Sequence, residues 1–443
     1  METARMIQTM AEGMSDELTS LRRSIHARPE TGWLEMRTSA IIAKRLLDLG
    51  YEVLTGEEAV CPEARMGVPD DETLRSHATA VLAQEGTPVE ALTEAMQKGL
   101  TGVVGILRCG EGPVVALRFD IDALGMVERG DHDHRPAREG FSSRNPGMMH
   151  ACGHDGHVAI GLGTAEVLMG IRENLHGTVK LIFQPAEEGA RGARAVTAAG
   201  HLDDVDYFLG SHVAPTDSLD DGDVTAGTWG SLATTKLDVT MSGLAAHAGG
   251  YPEKGKNALL AAASAVLSLH AIPRHSDGQS RVNVGILHAG TGRNVIPDQA
   301  VMQVEVRGET TEINCYMAEQ ARQICNGAAM MQGCECTIAV VGEAESQHSD
   351  EALIQRVVDT VRRDMPDLTL SSEQNARNWG SEDISVMMNR VQSHGGQATY
   401  MRFMTPMAGA QHTVGFDFDE KVLPMGVRVF STMVAELLKG EAQ

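Results

Sequence analysis

Three short runs of mostly β-branched, apolar residues, Val103 to Leu107, Val114 to Phe119 and Val179 to Phe183, frame a longer apolar stretch from Val158 to Met169. Runs of that length without polar alternation predict strands buried on both faces, and the longer stretch predicts a buried helix. Strands alternating with helices need helices layered on a sheet, so the expected class is α/β. Upstream, Ile25, Ile41, Ile42, Leu46, Leu47 and Leu49 recur near a helical period, which predicts helix from Ser20 to Glu52 with Gly50 as a C-terminal stop. Residues 55 to 100 carry few strong apolar runs and read as an insertion holding a helix from about Val89 to Lys98.

The middle of the chain has a different rhythm. Leu237, Val239 and Met241 alternate with Lys236, Asp238 and Thr240; Asn257 to His270 is an Ala/Leu-rich helix; Val282, Val284 and Ile286 alternate again. Met302, Val304 and Val306 oppose Gln303, Glu305 and Arg307, a helix-like segment spans Ile313 to Met331, and Cys336 to Val341 closes as a strand. The order β-α-β-β-α-β is that of the ferredoxin-like motif. The expected organisation is a discontinuous larger domain, residues 1–224 and 344–443, interrupted by a smaller one at 225–343.

Charge narrows the partners. Subtracting 60 Asp+Glu from 37 Lys+Arg leaves −23, a field that repels phosphate backbones and anionic headgroups, so neither nucleic acid nor a membrane surface is expected. No stretch approaches the ~18 uninterrupted apolar residues of a membrane span, and Met1 to Ser20 lacks a basic start followed by an apolar core; the expected location is cytoplasmic. The cysteines, Cys61, Cys109, Cys152, Cys315, Cys325, Cys334 and Cys336, are odd in number and thinly spread, unlike a disulfide framework. Cys334 and Cys336 read as reduced structural thiols.

One short segment concentrates chemistry. His150, Cys152, His154 and His157 fall within eight residues, with Gly153 and Gly156 allowing close backbone approach, and a thiolate with imidazoles suits zinc, or manganese if carboxylates complete the site. Carboxylates follow the strand ending at Gln184, in Pro185-Ala186-Glu187-Glu188-Gly189, at the strand end where open α/β sheets place ligands. Adjacent carboxylates point in different directions, so one can bind metal while its neighbour faces a water. Tyr207 to Gly210 reads as a strand followed by Ser211-His212, and Thr399 to Met404 as a strand whose loop leads through Gly409-Ala410-Gln411 into His412. One rim could then gather Cys152, His154, Glu188, His212 and His412, and five ligands suit two metal ions better than one.

The series Cys152-Gly153-His154-Asp155-Gly156-His157, Gln184-Pro185-Ala186-Glu187-Glu188-Gly189, Gly210-Ser211-His212, Ala245-Ala246-His247-Ala248 and Gly380-Ser381-Glu382-Asp383 resembles the M20 metallopeptidase and amidohydrolase family, from about Arg22 to Glu420. The resemblance implies a discontinuous zinc-peptidase-like catalytic domain with a central mixed sheet and an inserted ferredoxin-like lid and dimerisation domain. It also implies two divalent ions, Mn2+ or Zn2+, with Glu187 as general base and Glu188 as ligand. By the same resemblance His247 supplies oxyanion stabilisation from the lid of a partner subunit, while Asn294 and Arg307 contact the carboxylate of the scissile amino acid. Asp120 and Asp122 match a family strand that supports the site without ligating metal.

The implied activity is hydrolysis of an N-acyl or aroyl amide of an acidic amino acid, p-aminobenzoyl-glutamate first and an indole-acetyl-aspartate conjugate second. A non-catalytic binding subunit is the alternative, and the implied partners are a small acyl-amino acid and either a second copy of the chain or a related second subunit. Two motifs depart from the common pattern: Gly210-Ser211-His212-Val213-Ala214-Pro215, and Gln411-His412-Thr413-Val414, where relatives often place a second His beside the ligand.

Overall fold

In the computed structural model, residues 2–216, 222–377 and 380–439 are described. The chain forms two compact units: Met1–Trp229 with His348–Asn378 and Val386–Gln443, and Gly230–Gln347 with Trp379–Ser385. Among the described residues no helix is long and apolar enough to cross a membrane.

The first unit begins with helices α1 (Glu2–Gly13), α2 (Ser15–His26) and α3 (Met36–Leu49), strand β1 (Glu52–Thr55) and helix α4 (Asp71–Leu82). There follow β2 (Val103–Arg108), β3 (Val114–Asp120), α5 (His154–Gly170), β4 (Thr178–Gln184), β5 (Tyr207–Pro215) and β6 (Val224–Thr225). In the second unit come β7 (Ala233–Ser242), α6 (Ala258–His270), β8 (Ser280–Ala289), β9 (Gln299–Gly308), α7 (Thr311–Met331) and β10 (Glu335–Ala344), after which β11 (Gln397–Thr405) and α8 (Val422–Leu437) rejoin the first.

The larger sheet has the order β1-β2-β4-β3-β5-β11-β6. Its centre, β4, β3, β5 and β11, is parallel, while β1, β2 and β6 pair antiparallel with their neighbours. Helix α5 is apolar on every side and therefore buried, packing on α2, α3 and α8 beneath the ring cluster Phe119, Phe183, Phe403 and Phe430. Because Asp120 pairs with Gln184 in the parallel β3–β4 ladder, the chain segments leaving both strands emerge side by side. That register brings residues 121–124 next to 185–190.

The second unit is an all-antiparallel sheet of order β10-β7-β9-β8, with α6 and α7 on the face made by Leu237, Val239, Met241, Met302, Val304 and Val306. The alternation read along those strands is the pleat itself, with every second residue turned to the helices.

Three local expectations are corrected. The helix anticipated from Ser20 to Glu52 is two helices and a strand: Pro29 breaks it, Trp33 adopts a left-handed φ of 69°, and the Glu30 carboxylate accepts the N–H groups of Arg37 and Thr38 at the start of α3. In the 55–100 segment the principal helix is α4, capped by Asp70 on the Thr73 N–H, whereas the anticipated 89–98 helix splits into Val89–Ala91 and Glu94–Gln97 because Thr93 caps the second piece. Finally, His212 lies inside β5 rather than beyond it, since the β5–β11 ladder continues to Pro215.

Candidate metal centre

The site is built from the carboxyl ends of β3 and β4, the amino end of α5, the second half of β5 and the loop after β11. Gly153, at φ 103°, turns the chain between Cys152 and His154, and a Cβ there would stand 2.4 Å from Val213 Cγ2, so only glycine fits. His154, the first residue of α5, donates its Nδ1 proton to the Asp122 carbonyl at 2.9 Å. Its Nε2 is thereby left as an acceptor, buried and without a hydrogen bond.

The Glu187–Glu188 turn is held from behind. Asp122 accepts the Glu187 N–H at 3.0 Å and the Glu188 N–H at 2.9 Å, and Glu35 accepts the Ala186 N–H at 2.7 Å. Burial, with Asp122 nearby, pushes Glu35 up to about 8, while Thr101 donates to its other oxygen at 2.7 Å. Ala186 and Ala190 flank the two glutamates with φ of 52° and 60°, and Trp33 and His412 are the other described non-glycine residues with positive φ. Backbone strain thus concentrates at this end of the sheet.

His212 donates Nδ1–H to the Val213 carbonyl at 2.7 Å, directing Nε2 to within 3.4 Å of Cys152 Sγ. His412, whose N–H is held by the Ala151 carbonyl at 2.8 Å, brings Nε2 to 3.3 Å from Glu188 Oε1. Donor atoms of Cys152, Glu188 and His412 lie within 4.8 Å of one another, as do those of His154, Glu187 and Glu188. All five residues read from the sequence as ligands therefore converge, with Glu187 beside them.

Asp120, His154, His157 and His212 form another close group, but two of its members are engaged elsewhere. The Val213 N–H donates to His157 Nε2 at 3.0 Å, so His157 Nδ1 carries the proton it shares with Asp120, whose second oxygen takes a 2.6 Å hydrogen bond from Arg118. Burial opposes the charge on Asp120, yet Arg118 and the two imidazoles hold its carboxyl well below the usual range. His150 joins none of these donor groups; it is buried beside His26, and burial pushes it down to about 3.

Buried acceptors call for a positive partner. His154 Nε2 is buried without a hydrogen bond, Glu188 Oε1 is buried with His412 Nε2 3.3 Å away, and burial pushes the Cys152 thiol up to about 12. Divalent cations would satisfy both acceptors and reverse the thiol's preference, and the mixed sulfur, nitrogen and oxygen set suits zinc or manganese, so the residues fit the metal.

Behind His154, its neighbour Asp155 anchors a buried ionic cluster. Arg22 reaches Asp155 at 2.7 Å, Asp417 at 2.9 Å and Glu420 at 3.2 Å, and His26 bridges Asp155 and Glu128. Sequence reasoning missed this cluster and Glu35, because Arg22, Glu35, Asp417 and Glu420 stand in no local motif.

The remaining candidates belong to the second unit. His247 Nδ1 accepts the N–H groups of Gly249 and Gly250 at 3.2 and 2.9 Å, so the exposed Nε2 carries the proton. Asn294 lies alongside, its carbonyl accepting the Ala248 N–H at 3.0 Å. Arg307 on β9 pairs with Glu305 at 2.9 Å and donates to Ser381 at 3.4 Å, an acidic partner the sequence reading did not include.

The chain matches the family described as Peptidase family M20/M25/M40 over residues 116–436. It is 48% identical to indole-3-acetyl-aspartic acid hydrolase of Enterobacter agglomerans, covering 94% of each chain. To a p-aminobenzoyl-glutamate hydrolase subunit of Escherichia coli it is 44% identical, covering 96% of this chain and 97% of that one. The crystal structure of the aminobenzoyl-glutamate utilization protein from Klebsiella pneumoniae superposes with a TM-score of 0.83 at 39% identity, covering 98% of both chains. A Bacillus subtilis structure described as a dinuclear metal binding peptidase from the M20 family superposes with a TM-score of 0.64 at 26% identity, covering 96% of this chain and 99% of that one. With so much of its length matched and its donor residues gathered at the sheet's carboxyl edge, this chain belongs to the M20 peptidase family of hydrolases.

Proposed function

We propose that this chain hydrolyses the amide bond of an N-acyl or aroyl acidic amino acid, p-aminobenzoyl-glutamate foremost. The observation that carries the reading is a carboxylate, Glu187, beside five convergent metal donors and on a turn fixed by Asp122. Cys152, His154, Glu188, His212 and His412 would hold two divalent ions, Mn2+ or Zn2+. Such ions supply Lewis-acid charge, polarising the scissile carbonyl and making water acidic enough to lose its proton near neutral pH. Glu187 takes that proton and returns it to the leaving amine. His247 enters through the family resemblance and its tautomer, an Nε2–H ready to donate to an oxyanion. Arg307 and Asn294 are assigned to the substrate carboxylate on the same resemblance.

In this reading the chain works as an oligomer, either with a second copy of itself through its second unit or with a related second subunit. The Escherichia coli relative is named as one subunit of its hydrolase, which supports the latter arrangement. The unpaired cysteines support a reducing, cytoplasmic setting.

The test is a panel of p-aminobenzoyl-glutamate, indole-acetyl-aspartate and neutral acyl-amino acids, run with Mn2+- and with Zn2+-loaded protein and with Glu187→Ala. Turnover of the acidic substrates that disappears in Glu187→Ala is expected. Binding without turnover would replace the hydrolase by a binding subunit, and undiminished turnover in the variant would remove Glu187 as base. Faster turnover of indole-acetyl-aspartate would move the substrate to the conjugate suggested by the 48% identical relative.

A further inference from the structure

The 55–100 segment lies along the chain that follows Glu188, joined to it at three points. The Cys61 N–H donates to the Ala195 carbonyl at 2.9 Å, His201 bonds the Glu58 carbonyl, and Arg191 donates from Nη1 to the Gly67 carbonyl at 3.1 Å. The third contact reaches the metal-binding turn, because the same Arg191 donates from Nε to the carbonyl of Glu188 at 2.8 Å. Arg191 meets no carboxylate among the described residues, so its rigid fork is divided between two carbonyls, one in each segment.

Trp33 supplies the other jaw. Its indole donates to the Met66 carbonyl at 2.7 Å, next to Gly67, and it is wholly buried in a left-handed conformation that tryptophan adopts only under constraint. The preceding Gly32 presses against the same arginine: a Cβ there would lie 2.2 Å from Arg191 Nη2 and 2.9 Å from Ala186 Cβ. Trp33, Met66-Gly67, Arg191 and the Ala186–Glu188 turn therefore form one closed ring of contacts.

We propose that the 55–100 segment is a buttress for the metal-binding turn, with Arg191 as a positioning residue that transmits its hold to the backbone of Glu188. A ligand whose carbonyl is clamped presents its carboxylate in one direction, and loosening the clamp lowers the grip on the cation without touching substrate. The proposal rests on the reading of Glu188 as a metal ligand.

The experiment compares wild type, Trp33→Phe, Arg191→Lys and the double variant, with Lys98→Ala as a surface control on the same segment. Amide exchange of residues 185–191 is followed in metal-free protein, Mn2+ affinity by calorimetry, and kcat and KM separately. Each single variant should speed exchange at Ala190 and Arg191 and weaken Mn2+ about tenfold, with kcat falling and KM nearly unchanged. The double variant should be little worse than either single one, and Lys98→Ala should match wild type. Exchange and affinity at wild-type levels in Trp33→Phe, or additive losses in the double variant, would overturn the buttress. A wild type that fails to bind Mn2+ would instead sink the metal reading, and the exchange comparison distinguishes the two because it needs no metal.

Discussion

Oδ2 of Asp122 accepts the backbone N–H of Glu188 at 2.9 Å, so one carboxylate sets where another, the proposed ligand Glu188, can point. Its other oxygen does the same for Glu187, and its carbonyl fixes the tautomer of His154. Asp122→Asn keeps the size but loses the charge and one acceptor. Activity on p-aminobenzoyl-glutamate and Mn2+ affinity should each fall about 10- to 100-fold while the far-UV circular dichroism stays native. Wild-type affinity in this variant would show that the turn holds itself.

Metal removal should silence the enzyme and loosen it. In the proposed reading His154 Nε2 and Glu188 Oε1, both buried, lose a metal partner when a chelator strips the site. Hydrolysis is expected to vanish and return with Mn2+ or Zn2+. The melting temperature should rise on readdition by the equivalent of about 2.7 kcal/mol at a hundredfold excess over Kd. Cys152→Ser should bind more weakly, and a stripped protein that still turns over substrate would contradict the reading.

The pairing of Arg307 with Glu305 makes a prediction about substrate charge. If Arg307 takes the substrate carboxylate as proposed, that carboxylate competes with Glu305 for the guanidinium, so Glu305→Gln should lower KM for acidic substrates. Arg307→Ala should raise that KM about 10- to 100-fold, the worth of a charge-assisted hydrogen bond, with little effect on a neutral acyl-amino acid. Equal losses on acidic and neutral substrates would assign Arg307 to structure alone.

The Arg22 cluster predicts how stability depends on pH. Burial opposes the charges on Asp417 and Glu420, but hydrogen bonds and attraction from Arg135, Arg23 and Arg22 hold both carboxyls below their ordinary values. The folded state therefore binds fewer protons than the unfolded chain, so this stability is complete above the unfolded values near pH 4 and is lost as pH falls through the depressed folded ones. His26 runs the other way. Burial and Arg22 oppose its charge, yet Asp155 and Glu128 raise it, so its contribution is full below about pH 6.5 and fades as pH rises through the folded value. Glu420→Gln should cost about 1–3 kcal/mol in urea unfolding at pH 7, with the gap to wild type closing below about pH 4. A pH-independent gap would mean that the carboxylate contributes shape rather than charge.

What the sequence disclosed follows from the range of the forces involved. The strands and helices of the second unit could be read because alternation and helical spacing are local signatures of which side chains face a core. That Cys152, His154, Glu188 and His412 would come near one another could be read because glycines and strand ends mark where a backbone can turn toward a ligand. The break before α3 was hidden because the Glu30 carboxylate that caps it acts across a turn, seven residues before Arg37. Arg22 and Asp155 are 133 residues apart, and no period in either segment announces that one will neutralise the other. His212 was placed beyond its strand because the ladder that extends it belongs to β11, nearly two hundred residues downstream.

Among the described residues, the four left-handed side-chain-bearing ones, Trp33, Ala186, Ala190 and His412, have an evolutionary corollary. Each such backbone costs about 1–3 kcal/mol relative to a relaxed one, a debt carried at the working end of the molecule. Drift at these positions is therefore lopsided: glycine would relax the backbone at any of them and, in the proposed reading, loosen the metal site at the same stroke. A heat-tolerant descendant of this chain should accumulate its changes in α1, α8 and the outer strands, and leave these four residues alone.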